Sequence, residues 1–125
     1  VMGFDLSGIK PTSEEGHAFR ANVWYWRPIW AFVRQQFPDL LTEKQIKGGE
    51  YNDGTIIDAK QATKIGSYII KNVTEIAEGI DNYEKERLAD KEKNPDKFET
   101  SYAMNLELML EFASFCKNSG GFEIW

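Results

Sequence analysis

A chain of 125 residues, 42% hydrophobic and 28% charged, has the make-up of one globular domain with a sizeable core, not of a disordered or fibrous chain. Its formal net charge of −5 sets it against bulk nucleic-acid binding, which depends on clustered Lys and Arg. A single cysteine, Cys116, excludes an intrachain disulfide and a cysteine-built metal cluster, and suits a reducing, cytoplasmic setting.

No basic region followed by an apolar run opens the chain, so no signal peptide is expected, and no stretch reaches the ~18 apolar residues of a membrane span. Residues 1–125 read as one domain. Gly3-Phe4-Asp5-Leu6-Ser7-Gly8-Ile9 alternates apolar with small or polar residues, which predicts a short strand. Thr12 and Glu15 have capping-box spacing, so a helix is expected from about Ser13. Pro28 then forces a choice, because a proline deep in a helix costs about 3 kcal/mol. The simpler solution breaks the chain over 22–27 and starts a second helix at Arg27 or Pro28, running to about Phe37. A kinked single helix is the alternative.

Thr42 with Gln45 caps a short helix that stops at Gly48-Gly49. Residues 50–55 are turn-rich, and Ile56-Ile57 is too short for more than a β-bridge. Asp58 with Gln61 caps the longest helix, in which Ala62, Ile65, Ile69, Val73, Ile76, Ile80 and Tyr83 form one stripe. Residues 84–97 are almost all charged and read as a projecting helix end, then a loop at Asn94-Pro95. A last helix from Asp96 or Phe98 to Lys117 carries Tyr102, Leu106, Met109, Leu110, Ala113 and Cys116 on one side, and Gly120-Gly121 follows it. Phe122-Glu123-Ile124-Trp125 alternates like Phe4-Asp5-Leu6, so the two ends are expected to pair. The expected fold is mainly α: a single-domain bundle of four to five helices with a small β-pair joining the N- and C-termini.

The stretch Phe19-Arg20-Ala21-Asn22-Val23-Trp24-Tyr25-Trp26-Arg27-Pro28-Ile29-Trp30 holds three of the four tryptophans. Guanidinium forks pair with phosphate or carboxylate and indole rings stack on a base, so the segment suits a planar anion. The bland alternative makes the tryptophans core anchors and pairs the arginines with some of the 20 acidic residues. In a continuous helix Arg20, Arg27 and Arg34, seven apart, would share one face.

Other constellations are weaker. His17, the only histidine, has no nucleophile elbow and no metal-ligand spacing to join. Cys116 falls at a core position. Asn52-Asp53-Gly54 lacks the spacing of a calcium loop. Glu75, Glu78, Glu107 and Glu111 carry no sequence reason to converge. No catalytic residue, metal or cofactor is therefore assigned.

Met2-Gly3-Phe4-Asp5, the Phe19–Trp30 string, Asn52-Asp53-Gly54 and Ser119-Gly120-Gly121-Phe122-Glu123-Ile124 together resemble a group of small uncharacterised bacterial and phage proteins. The resemblance implies a phage or mobile-element origin and carries over no activity. The expected function is a non-catalytic binding protein, with a site built from Arg20, Asn22, Trp24, Trp26, Arg27, Tyr51, Asn52, Asp53 and Trp125. Its partner is an anionic, nucleotide-like small molecule, to be sequestered, or alternatively the face of a host protein that it inhibits or adapts. An enzyme of unknown class comes last.

Overall fold

A computed structural model describes residues 3–125; Met2, part of the opening string, lies outside them. Among the described residues five helices and a four-stranded antiparallel sheet make a mainly α fold. The strands are β1 (Gly3–Gly8), β2 (Ala18–Asn22), β3 (Thr55–Ile57) and β4 (Phe122–Ile124), in the order β2-β1-β4-β3. The helices are α1 (Val23–Gln36), α2 (Glu43–Gly48), α3 (Ala59–Lys71), α4 (Val73–Lys93) and α5 (Leu106–Asn118).

The two ends pair, with Leu6 opposite Ile124 and Gly8 opposite Phe122. The sheet is nevertheless larger than a terminal pair. β2 takes the other edge of β1, in a segment expected to be helical. Thr12 and Glu15 make no capping box: the Thr12 hydroxyl reaches Asn118, the Ser13 hydroxyl donates to Glu15, and only a 3-10 turn forms at Glu14–Gly16. Strand alternation explains the outcome. It turns both Phe19 and Ala21 inward beside Phe4 and Leu6, whereas residues two apart on a helix point to different sides. Phe19 thereby meets Phe112 at 5.4 Å between ring centroids. β3 is also more than an isolated bridge, since Ile57 pairs with Phe122 across a three-residue ladder.

α1 continues through Pro28 as one helix, so the expected break over 22–27 does not occur. Asn22 caps it, its Oδ1 accepting from the Trp24 and Tyr25 amides at 3.0 and 3.2 Å. Proline has no N–H to give the carbonyl four residues back, Trp24. That carbonyl accepts instead from the Ala103 amide at 3.0 Å, so the orphan is satisfied from another part of the chain.

The long helix expected from Asp58 onward is two helices, divided at Asn72 (φ −108°, ψ 27°), whose Nδ2 donates to the Tyr68 carbonyl at 2.8 Å. The apolar stripe crosses the division, with Ala62, Ile65 and Ile69 buried on α3 and Ile76 and Ile80 on α4. Gly66 lets α3 lie directly on α5, because a Cβ there would stand 2.6 Å from the Ala113 carbonyl oxygen. α5 starts at Leu106, later than expected: Asn105 caps it by accepting from the Leu108 amide, and Phe98–Ser101 is a separate 3-10 turn.

The core lies between the inner sheet face and α1, α3 and α5. Its centre is a run of rings: Phe4 stacks on Trp26 at 5.7 Å, Trp26 on Trp30 at 5.5 Å, and Phe112 meets Trp26 edge-on at 5.6 Å.

Candidate functional site

α1 separates two stripes one residue apart. Trp26, Ile29, Trp30 and Val33 face the core, while Arg27, Ala31 and Arg34 line a groove of about 690 Å³ on the outer side. One wall of the groove is the turn holding Glu50 and Tyr51; the other carries Tyr83 from α4 with Tyr102 and Met104. The lining is mostly apolar and aromatic, with a few polar groups at the rim, which is the usual make-up of a small-molecule site.

The second wall is held by polar contacts. The Tyr83 hydroxyl donates to the Tyr102 carbonyl at 2.6 Å, and Arg87 Nη1 donates to the Thr100 carbonyl at 2.9 Å. Arg87 also grips Glu84 side-on, Nε to Oε2 at 2.7 Å and Nη2 to Oε1 at 2.8 Å, and Glu84 accepts from the Met104 amide. The Arg87 hydrogen bonds hold the Glu84 carboxyl below its usual range. Burial, with the Glu84 charge beside it, pushes the Tyr83 phenol up, so it stays protonated as a donor. Residues 98–105 thus form a strap between α4 and the Trp24 carbonyl of α1.

Two cations reach the groove. Arg34 Nη1 is paired with Glu50 at 2.9 Å. Arg27 is exposed, and its Nη1 donates to the Tyr102 hydroxyl at 3.2 Å. Among the described residues no carboxylate comes within ion-pair distance of Arg27. Tyr51 stands 59% exposed at the opposite rim.

Of the nine residues expected to form one site, only Arg27 and Tyr51 meet in this groove. Trp26 is sealed in the core, its indole N–H donating to the Gly49 carbonyl at 2.7 Å. Trp24 is half-buried between Phe98 and Tyr102, at 5.2 and 5.0 Å. Arg20 is on the outer sheet face, paired with Asp5 at 2.9 Å, because its segment is a strand and shares no helical face with Arg27. Asn22 is occupied as the α1 cap. Asn52 Nδ2 ties the Gly3 and Trp125 carbonyls together, and Asp53 caps its own turn through the Thr55 amide and hydroxyl. The Trp125 ring covers Gly54 and donates to Glu123.

Sequence reasoning left out Arg34, Glu50, Tyr83, Tyr102 and Met104 as lining residues. The seven-residue spacing of Arg27 and Arg34 was the one available signal. The rest depends on how α4 and the strap fold back.

Cys116 is fully buried, which pushes its thiol well above the usual range and keeps it protonated. His17 is exposed beside a shallow depression with Pro11 and Glu14. Among the described residues no three His, Cys, Asp or Glu side chains cluster as metal ligands, and no helix is long and apolar enough to cross a membrane. Compared with known proteins, the chain matches no family model, no curated protein and no solved structure.

Proposed function

We propose that this is a non-catalytic binding protein whose groove over α1 takes an anionic, nucleotide-like small molecule, a flat ring bearing an oxyanion. Arg27 carries the reading: an exposed guanidinium with no carboxylate partner among the described residues, lining a groove together with Tyr51 and Tyr102. A guanidinium fork suits an oxyanion and a tyrosine face suits a ring. The groove volume of about 690 Å³ also falls within the ~300–1,000 Å³ of small-molecule sites. Sequestration of such a molecule in the cytoplasm, by a protein of phage or mobile-element origin, is the setting that the resemblance of its sequence strings suggests.

Thermal-shift measurements against a panel of nucleotides test the proposal. At least one member should raise Tm, and Arg27→Ala should abolish that rise while leaving the unliganded Tm unchanged. A second reading, a protein–protein inhibitor or adaptor acting on a host protein, is favoured by Phe98 and Leu88, which stand 59% and 54% exposed at the start of the strap and on α4. It replaces the first if no nucleotide shifts Tm and a co-purifying protein is lost on Phe98→Ser.

A further inference from the structure

Resting on that reading, we infer that the groove selects ligands carrying a single negative charge, an aromatic ring joined to one singly charged oxyanion, over polyphosphates. Among the described residues the charged groups lining it are Arg27, Arg34 and Glu50. Glu50 already neutralises Arg34, which leaves a net charge of +1. Arg27 therefore meets the first negative charge of a ligand, and any further charge meets only the neutral Arg34–Glu50 pair, with no second cation left to receive it. The protein as a whole adds to that discrimination, with a formal charge of −5. Like charges brought together in a partly desolvated groove repel more strongly than in water.

The remaining lining fits the same ligand. Tyr51 is open to one face of a ring, and Met104 and Ala31 add apolar surface to the lining. Tyr102, whose hydroxyl receives the Arg27 hydrogen bond, holds the guanidinium at the groove instead of letting it swing into solvent. A cyclic phosphodiester and an aryl carboxylate share this chemistry, so both serve as probes.

Isothermal titration of the full chain with cyclic adenosine monophosphate, indoleacetate and magnesium-free ATP decides the matter. At least one of the two monoanions should bind, and ATP should bind at least about tenfold more weakly than it. Glu50→Gln, which raises the net charge of the groove, should narrow that gap by about fivefold or more. Binding confined to the phosphodiester or to the carboxylate identifies the source of the oxyanion. ATP binding as tightly as either monoanion, or a gap unmoved by Glu50→Gln, overturns the selectivity and leaves the groove reading standing. Silence from all three probes, together with an empty nucleotide panel, overturns both.

Discussion

At the scale of single residues, the tryptophans and glycines explain one another. Gly48 and Gly49 end α2, yet neither has a positive φ, so conformational freedom is not what they supply. A Cβ at Gly49 would stand 2.0 Å from the Trp30 ring, and the Trp26 and Trp30 indoles donate to the carbonyls of Gly49 and Ile46. The glycine is there so that two large rings can close on the backbone and satisfy their N–H groups. Gly49→Ala should therefore cost about 1–3 kcal/mol, the range of overpacking in a tight core, read as a lower urea midpoint. A loss below half a kilocalorie, within the ordinary surface range, would mean that Trp30 has room to move. The same closure explains why the tryptophan-arginine string divides its labour: the indoles of Trp26 and Trp30 build the core, and Arg27, one step round the helix, is left outside.

At the scale of elements, two capping boxes lock together. Gln45 and Gln61 each accept from their own cap residue's amide, at Thr42 and Asp58, and each donates to the other's side-chain oxygen at 2.7 and 2.9 Å. Their remaining N–H groups go to the Ile56 and Leu40 carbonyls. The starts of α2 and α3 are thus joined by one saturated pair of amides. Gln45→Ala or Gln61→Ala alone should cost about 1–2 kcal/mol, because each strands the partner amide. The double variant should cost about 1 kcal/mol less than the sum, measured by a denaturant cycle. Strict additivity would show that the two caps act separately.

Across the whole molecule, α4 is held to the body by the buried Ile76 and Ile80 in its first half and by the strap at 98–105 in its second, where the key contact is a carboxylate. The folded-state pKa of Glu84 is lowered, chiefly by the Arg87 hydrogen bonds. Its stabilisation is therefore complete above the ordinary value of 4.5 and is lost as pH falls through the lower folded value. Asp90, lowered by its hydrogen bond from Lys97 at the other end of the strap, titrates in the same direction. As pH falls from 4.5 through the lower folded value, the Ala103 and Met104 amides should lose hydrogen-exchange protection before those of α3 and α5. Glu84→Gln should reproduce the loss at neutral pH. Equal protection of strap and core throughout acid titration would rule the strap out as a separate unit. Because Tyr102 and Met104 line the groove, ligand binding should weaken over the same interval.

What the sequence determined by itself was local. The Thr42 and Asp58 caps, the inward alternation at both ends, the stripe from Ala62 to Ile80 and the charged end of α4 all follow from hydrogen bonds or periodicity within a few residues. The tertiary structure decided the rest. β2 is a strand because β1 had an edge to fill and Phe19 and Ala21 had to face the same way. Pro28 sits inside α1 because the Ala103 amide takes up the carbonyl that it orphans. The groove exists because α4 and the strap return to the outer face of α1. Such partners lie far apart along the chain, and a proline or an arginine carries no mark of which distant amide, hydroxyl or carboxylate folding will bring to it.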